Sequence, residues 1–327
     1  MACSGSTGDT RKSRSMQRSF PEMKITFIIC LCAVLAVYGC GSKGPRKPSP
    51  TDSWRKGTII ISADESFQPV IDSHIQVFEA SNPEAKIRVH YKPEAACLED
   101  LSVDSIRMVI VTRYLDEKEA GFIKDSFEIK PQQMLVAYDA IAVIVHPEAE
   151  DTLFTMEEIK QVLTGRFKKN LIPVFDGLRA TSTVRFIIDS VLRGDTLTAK
   201  ATAAQTSEQV IEYVARTPDA VGFIGVSWIG NPEDPKQQSF LTKVRMAELE
   251  STDKKGAFIK PWQANIYTGR YPMIRKLIYI LKEGHMGLGH GFGDFMTSER
   301  GQLIFRRAYL LPARMQFVIR NAAVRDQ

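Results

Sequence analysis

The chain has 327 residues, of which 44% are hydrophobic and 25% are charged, as in an ordinary globular protein with one large or two medium domains. Its formal net charge is +5, but residues 1–39 carry five basic and two acidic side chains and therefore hold +3 of it. The rest of the chain is close to neutral, which argues against a nucleic-acid-binding surface.

An uncharged stretch near the N-terminus predicts a targeting segment. Residues 25–39 follow Arg18 and Lys24 and contain no charged side chain. They are too few for a membrane span, which needs about 20 residues, but they suit the apolar part of a signal peptide. Residues 37–40 (Val-Tyr-Gly-Cys) resemble a bacterial lipobox, which predicts that Cys40 is lipidated. A plain anchor helix is the alternative.

The predicted signal peptide covers residues 1–39, and a Pro/Ser/Gly-rich tether covers residues 40–56. Cys97 is then the only unmodified cysteine of the mature chain, so neither an internal disulfide nor a cysteine-based metal cluster is expected.

After the tether, apolar strands alternate with helices, which predicts βαβ units and a mostly parallel sheet. The first half contains predicted strands at residues 58–61, 87–91 and 108–111 and helices at residues 67–81 and 115–123. The second half contains a strand at 138–146, helices from 155 and 207, a strand at 220–226, a Pro-rich loop at 231–238, a turn and strand at 266–280, and a last helix containing Phe292, Phe295 and Ile304.

Polar residues follow the ends of the first and third strands. Ser66 and Phe67 come after the first strand, and Thr112 and Arg113 come after the third. Ligands of such sheets bind beyond the carboxyl ends of strands, so these turns are candidate ligand contacts. The simpler alternatives are that Ser66 caps a helix, that Phe67 belongs to the core, and that Arg113 forms a surface ion pair.

The stretch 174–192 gives the strongest indication of an anion site. A strand end is followed by the turn Asp176–Gly177, then by the hydroxyls of Thr181, Ser182 and Thr183, and then by a helix with apolar residues at 184, 187, 188, 191 and 192. The start of a helix carries unpaired N–H groups and partial positive charge, which suit an anion. Arg185 in the first turn opposes the helix dipole unless a negative group lies nearby. The alternatives are a simple N-cap and an Arg185–Asp189 pair.

The sequence predicts no metal site and no enzyme. His285 and His290 are five residues apart in a glycine-rich segment, which is not the spacing of a helical metal pair, and no acidic partner is in register. No nucleophile–base signature and no phosphate-binding Gly-x-x-x-x-Gly-Lys loop is present. No cofactor is expected.

Taken as an ordered set, these landmarks resemble the phosphate ABC-transporter substrate-binding family, which has the type II periplasmic binding-protein fold. The matching stretches are residues 62–67 (Ser-Ala-Asp-Glu-Ser-Phe), 111–115 (Val-Thr-Arg-Tyr-Leu), 139–145, 154–159, 163–165, 219–225, 269–275 (Gly-Arg-Tyr-Pro-Met-Ile-Arg) and 292–302. They cover nearly the whole mature chain in the order of the family.

The resemblance implies an α/β fold with two lobes, each a mostly parallel sheet flanked by helices, joined by two crossing strands near 138–145 and 271–280. The implied first lobe comprises residues 57–138 and 268–327, and the second comprises residues 139–267. A dehydrated oxyanion would lie in the cleft between them. The implied ligand-binding residues are Ser66, Phe67, Thr112, Arg113, Thr181, Ser182, Thr183 and Arg185.

Two departures from the family concern anion selectivity. Thr112–Arg113 occupies the turn where family members carry an aspartate that accepts a proton from hydrogen phosphate. The usual Arg-x-Asp-Gly-Ser-Gly-Thr motif is reduced to Asp176–Gly177 and the later hydroxyls, with Arg185 as a candidate replacement for the guanidinium. Arg113 is therefore expected to carry much of the affinity, and discrimination against sulfate is not assured.

The resulting hypothesis is a lipid-anchored receptor on the periplasmic side of a bacterial cell envelope. It would deliver inorganic phosphate to the permease and ATPase subunits of an ABC importer. The alternatives are a receptor or sensor for sulfate or molybdate, and a lipid-anchored phosphoester hydrolase.

Overall fold

Strands and helices alternate through the computed structural model, which describes residues 51–177, 181–231 and 233–314. The predicted signal peptide, Cys40 and most of the predicted tether lie outside the described residues. The strands are β1 (Gly57–Asp64), β2 (Ala85–Lys92), β3 (Ile106–Val111), β4 (Gln132–Val145), β5 (Leu153–Phe154), β6 (Ile172–Phe175), β7 (Thr202–Ala203), β8 (Ala220–Gly225), β9 (Arg245–Met246), β10 (Glu248–Glu250), β11 (Phe258–Ile259), β12 (Ile274–Leu281) and β13 (Leu311–Pro312).

The α-helices are α1 (Gln68–Ser81), α2 (Glu94–Glu99), α3 (Glu117–Phe127), α4 (Met156–Thr164), α5 (Ser182–Phe186), α6 (Ser207–Arg216), α7 (Pro235–Lys243), α8 (Gln263–Tyr267), α9 (Leu288–Thr297) and α10 (Glu299–Arg307). A π-helical segment, Ile187–Leu192, continues α5, and short 3-10 turns follow β1 (Glu65–Phe67) and β8 (Val226–Trp228).

Two parallel sheets meet along a pair of antiparallel strands. The strand order is β2-β1-β3-β12-β4-β8-β6-β7, with β9 and β13 also paired to β4. Strands β1, β2 and β3 are mutually parallel, as are β6, β7 and β8. The first half of β4 pairs with β12, and its last five residues pair with β8. The predicted fold class, two lobes with mostly parallel sheets joined by crossing strands, is confirmed.

Each lobe has its own hydrophobic core. The first lobe packs α1 and α9 on one face of β1–β3 and packs α2 and α3 on the other. The second lobe packs α4, α5 and the π-helix on one face of β6 and β8, and packs α6 and α7 on the other. Because β4 and β12 run between these cores, their polar side chains lie where the lobes meet. The exact lobe boundaries remain a prediction.

The predicted helix from residue 155 and the predicted strand at 220–226 are both present. Thr155 and Glu158 form the capping box of α4, and Gly165 ends that helix in the left-handed conformation, φ 74°. In β8, a Cβ on Gly222 would lie 2.7 Å from Ile144 Cγ1, so the close packing at this position needs a glycine.

Other local predictions are wrong, mainly at element ends. The first strand, predicted to end at residue 61, ends later, because Ser62 to Asp64 still belong to β1. The predicted loop 231–238 contains the start of α7, whose N-cap is Asp234. The predicted single C-terminal helix is two helices that meet at Ser298, which caps the second one.

The helix after the hydroxyl motif also differs from the prediction. The π-helical turn widens the spiral after Phe186, so the 3.6-residue spacing no longer holds. Ile188, predicted on the apolar face, is 45% exposed, whereas Ile187 and Leu192 are buried.

The described chain begins with a segment that packs against the first lobe. Asp52 accepts a hydrogen bond from Leu288 N at 2.7 Å and thereby caps α9. The backbone at Trp54 packs so closely on α9 that a Cβ on Gly291 would lie 2.0 Å from the Trp54 carbonyl oxygen. The last residues of the predicted tether are therefore part of the folded domain. In the part of the chain that the structure describes, no helix is long and apolar enough to cross a membrane.

Candidate functional site

The first candidate turn lies at the carboxyl end of β1, as the sequence predicts. Asp64 accepts a hydrogen bond from Ser66 N at 3.0 Å and so fixes the 3-10 turn. The Ser66 hydroxyl crosses to the second lobe and donates to Asp176 Oδ2 at 3.0 Å. In return, Ser227 Oγ and Trp228 Nε1 donate to the Ser66 carbonyl oxygen at 3.1 and 3.0 Å. The turn is therefore held by both lobes.

The second candidate turn is the start of α5. Thr181 is its N-cap and accepts from Val184 N at 3.2 Å, so the capping alternative holds for this residue. Ser182 Oγ and Thr183 Oγ1 accept hydrogen bonds from Arg275 Nη1 at 2.8 and 3.2 Å. The two hydroxyls thus face a guanidinium that the sequence analysis did not assign to the site.

Arg275 is the centre of the arrangement. It lies on β12 opposite Asp139 of β4, and its Nε donates to Asp139 Oδ2 at 2.7 Å. Its guanidinium carbon lies 4.9 Å from the ring centroid of Phe67, a cation–π arrangement. Arg275 is only 4% exposed. We call these residues the Arg275 cluster; its members are Asp64, Ser66, Phe67, Asp139, Asp176, Thr181, Ser182, Thr183 and Arg275.

The Arg275 cluster leaves hydrogen-bonding groups unused. Among the described residues, the buried side-chain atoms without a partner are Asp64 Oδ2, Asp139 Oδ1, Asp176 Oδ1 and Arg275 Nη2. All four belong to this one cluster. A buried polar atom without a partner costs on the order of 1–3 kcal/mol, so four of them in one place make this cluster the candidate ligand site.

Burial also changes the protonation of the cluster. It raises the pKa of Asp64 to about 6, against the attraction of Arg275. Burial likewise raises the pKa values of Asp139 and Asp176 above their usual range. For Arg275, burial alone would lower the pKa, but the neighbouring carboxylates outweigh it and raise the pKa. The cluster therefore combines one permanent cation with Asp64, whose pKa is about 6, and with two further carboxyl groups whose pKa values burial raises.

Gly225 leaves room for this geometry. It ends β8, and a Cβ at this position would lie 3.1 Å from Arg275 Nη2 and 3.2 Å from the Ser66 carbonyl oxygen. A side chain here would push on the unpaired nitrogen, which explains why the strand ends in glycine.

Thr112 and Arg185 lie together, but at a different group. Both donate to Glu94, the first residue of α2. Thr112 N and Oγ1 reach Glu94 Oε1 at 2.7 and 2.6 Å, and Arg185 Nε reaches Oε2 at 2.6 Å. Arg185 also donates to Thr112 Oγ1 at 2.7 Å and lies 3.5 Å from Asp189. The negative partner that the sequence requires for Arg185 is therefore a protein carboxylate.

The structure does not bring Arg113 to the Arg275 cluster. Its two terminal nitrogens donate to the two oxygens of Glu119 at 2.7 and 2.6 Å, and one also donates to the Tyr114 carbonyl oxygen at 3.0 Å. This is the surface ion pair that the sequence analysis gave as the simpler alternative. The guanidinium at the cluster belongs to Arg275 instead.

His285 and His290 do have acidic partners. His285 Nε2 lies 3.1 Å from Asp52, and His290 Nδ1 lies 2.7 Å from Glu283. Arg107 joins the two carboxylates, with Nη1 2.9 Å from Asp52 and 2.8 Å from Glu283. We call these five residues the Arg107 network. Although Asp52, Glu283 and His285 are close enough to share a cation, Arg107 already supplies the positive charge.

Four members of the Arg275 cluster are not among the site residues that the sequence predicts. The sequence predicts Asp176 only as a turn residue, and Asp64 lies in the stretch 62–67 that matches the family. Asp139 and Arg275 lie in predicted apolar strands, although a charged residue inside such a run is itself a signal, because an isolated buried charge is costly. Only the pairing of β4 with β12 reveals that these two charges face each other.

Comparison with known proteins places the chain in a family. A family model described as a PBP superfamily domain matches residues 48–300. The chain belongs to the PBP superfamily. Among curated proteins it is similar to the phosphate-binding protein PstS of Bacillus subtilis (strain 168), at 24% identity over 84% of this chain and 89% of the relative. It is also similar to the PstS protein of Borreliella burgdorferi, at 21% identity over 85% and 95%.

Solved structures agree on the fold. A substrate-binding protein of a phosphate ABC transporter from Clostridium perfringens, with bound phosphate, aligns with a TM-score of 0.65 at 20% identity, over 79% of this chain and all of that chain. An ABC-type phosphate transport receptor from Vibrio cholerae aligns with a TM-score of 0.58 at 17% identity, over 77% and 99%. The family resemblance predicted from the sequence is confirmed.

Proposed function

We propose that this PBP superfamily member captures inorganic phosphate in the Arg275 cluster and delivers it to an ABC importer. The observation that carries the proposal is the set of four unpaired buried atoms. Arg275 Nη2 needs an acceptor, whereas the free oxygens of Asp64, Asp139 and Asp176 need a donor. A protonated oxyanion offers both. The curated relatives are named as phosphate-binding proteins, which agrees with the prediction that the chain is not an enzyme.

The proposal changes the expected selectivity. The sequence suggests that the site lacks the family's aspartate acceptor, because Thr112 occupies that turn. In the proposed complex, carboxyl oxygens of the Arg275 cluster accept the proton of hydrogen phosphate instead. Sulfate is unprotonated near neutral pH, so it would leave these oxygens unpaired and add charge repulsion. We therefore favour phosphate over sulfate and molybdate.

Calorimetric titration of the purified protein with phosphate, arsenate, sulfate and molybdate tests the proposal. Phosphate and arsenate are expected to bind, and sulfate at least about a hundredfold more weakly. Equal binding of sulfate would contradict the role of the carboxyl groups. Release of phosphate from a phosphomonoester, with or without divalent cations, would instead support the hydrolase alternative.

The cellular setting is a further part of the proposal. Lipidation of Cys40 would anchor the protein to a membrane on the periplasmic side of the cell envelope, from which it would deliver phosphate to the permease and ATPase subunits. Mass spectrometry of the membrane-extracted protein tests this, because an acylated N-terminal peptide starting at Cys40 is expected. An unmodified Cys40 in a mature chain would remove the tether from the proposal.

A further inference from the structure

Two carboxylates of the first lobe bind the second lobe on either side of the Arg275 cluster. Glu65, in the turn after β1, accepts Ser207 N on Oε1 at 3.0 Å and Ser207 Oγ on Oε2 at 2.9 Å. Ser207 is the first residue of α6, where backbone N–H groups have no partner within the helix. Glu65 thus completes the start of a helix that belongs to the other lobe.

Glu94 makes the second such contact. It opens α2 in the first lobe, is 2% exposed, and accepts Arg185 Nε of the second lobe at 2.6 Å. Next to this bond lies a cavity of about 790 Å³, lined on one side by α2 and α3 and on the other by α5 and the π-helix. The lobes do not pack against each other across this cavity, so the Glu94–Arg185 bond joins them at its edge.

Each contact lies on the same rigid element as a member of the Arg275 cluster. Glu65 immediately precedes Ser66, and Arg185 is one helical turn beyond Ser182. Neither carboxylate donates to or accepts from a member of the cluster through its side chain in the described contacts. Moving the lobes apart would break both contacts together with the interlobe bonds of the cluster.

We propose that Glu65 and Glu94 are positioning residues, two clasps that hold the lobes closed around the anion without touching it. Closure and anion affinity are then one linked equilibrium, so weakening a clasp lowers the apparent affinity by lowering the closed fraction. The proposal rests on the proposed anion site for its affinity readout only.

The two clasps differ in what they require. Burial raises the pKa of Glu65 to about 7, so this clasp works through its oxygen atoms and tolerates a neutral group. For Glu94, burial would raise the pKa, but Arg185 and Thr112 outweigh it and lower the pKa, so this clasp depends on the negative charge. Glutamine at position 65 should therefore preserve the contact with the second lobe, whereas glutamine at position 94 should weaken it.

Four variants of the full chain test the clasps: Glu65→Ala, Glu65→Gln, Glu94→Gln and, as a matched control, Glu212→Gln. Glu212 lies on α6 like Ser207, but its partner Lys243, at 2.5 Å, belongs to the same lobe. Phosphate affinity and dissociation rate are measured by titration and stopped flow. Hydrogen exchange by mass spectrometry follows the amides of Ser207 and Thr112, with and without phosphate.

Glu65→Ala and Glu94→Gln are each expected to weaken phosphate binding about tenfold, mainly through faster dissociation. Glu65→Gln should stay within about threefold of the wild type, as should Glu212→Gln. The decisive readout is the cross-effect. Glu65→Ala should speed exchange at Thr112, because opening takes Arg185 away from Glu94 and Thr112 and lets water reach that amide. Glu94→Gln should speed exchange at Ser207, because the same opening separates that amide from Glu65.

Faster exchange confined to the altered clasp, with unchanged phosphate affinity, would overturn the proposal and leave two local capping contacts. Weaker binding without any cross-effect would also overturn it. If the wild type binds no phosphate, the proposed function fails, but the exchange experiment without phosphate still decides whether the clasps share one opening.

Discussion

The Arg275 cluster and the Arg107 network are chemically alike but differ in how completely their polar groups are paired. Each places an arginine among acidic side chains; Arg275 is buried, and Arg107 is half-buried. In the Arg107 network, Asp52 and Glu283 accept bonds from Arg107, from both histidines and from the first backbone N–H groups of α9. In the Arg275 cluster, four atoms stay unpaired. A network whose polar groups are all paired stabilises the fold, whereas one that keeps unpaired buried atoms between two lobes is suited to binding a ligand.

The most direct test of this difference is to replace each of the two arginines and to measure phosphate binding and stability for both variants. Arg275→Lys keeps a positive charge but removes the planar fork that donates to Ser182 and Thr183 and that carries the unpaired Nη2. We expect phosphate affinity to fall at least about a hundredfold in calorimetric titration. A loss below about threefold would exclude Arg275 from the binding site.

Arg107→Ala is the counterpart. It leaves Asp52 and Glu283 without their shared cation, so we expect the free energy of unfolding to fall by about 3 kcal/mol in urea titration. The phosphate affinity of the folded protein should not change. A lost affinity with unchanged stability would reverse the roles that we assign to the two arginines.

Gly225→Ala adds one methyl group next to Arg275 Nη2, which should displace the guanidinium by a few tenths of an ångström. We expect about tenfold weaker phosphate binding. The matched control is Gly121→Ala on α3, where an added Cβ meets nothing within 4 Å. That change should leave binding unaltered and raise stability by about 0.5–1 kcal/mol. Equal effects of the two substitutions would show that the space beside Nη2 does not matter.

The pH dependence of stability should show the buried carboxyl groups. Glu65 and Asp64 have pKa values raised to about 7 and about 6 in the folded protein. Such groups contribute stability that is complete below their unfolded pKa values, near 4, and is lost as the pH rises through 6 to 7. The advantage in thermal midpoint of Glu65→Gln over the wild type should therefore be largest at pH 8 and shrink towards pH 5.

The difference in thermal midpoint between Glu65→Gln and the wild type does not depend on His74, which changes the stability of both proteins equally and in the opposite direction with pH. Burial lowers the pKa of His74 to about 4, so its stabilising effect is present above pH 6.5 and is lost as the pH falls towards 4. A difference between Glu65→Gln and the wild type that stays constant from pH 5 to pH 8 would contradict the raised pKa of Glu65.

Arg113→Ala should have the smallest effect. The sequence assigns Arg113 much of the affinity, but its guanidinium is occupied by Glu119. A half-exposed pair at the surface contributes little to stability, and its guanidinium is not free to bind an anion, so titration should show less than about threefold weaker phosphate binding. A tenfold loss would return Arg113 to the site and weaken the assignment of Arg275.

The sequence predicted those parts of the site that are local in the chain. Ser66 after β1 and the hydroxyls before Val184 follow from strand ends and helix starts, which short patterns encode. The pairing of Arg275 with Asp139 could not be predicted in this way, because it depends on the register between strands far apart in sequence. The partner of Arg185 was missed for a similar reason, since α2 is a short helix with little periodicity.

The fold was easier to predict than the site for the same physical reason. Buried parallel strands are long apolar runs, and amphipathic helices repeat their pattern over several turns, so both produce strong signals. The π-helical turn after Phe186 shifts Ile188 to the surface without any change in residue type, so the 3.6-residue pattern gave no warning.

A crystal structure of the protein with phosphate tests the central claim most directly. Our account predicts a phosphate oxygen within about 2.7–3.2 Å of Arg275 Nη2, and a second phosphate oxygen at the same distance from a free oxygen of Asp64, Asp139 or Asp176. Phosphate bound instead beside Arg113 and Arg185, with Arg275 Nη2 touching only protein, would contradict it.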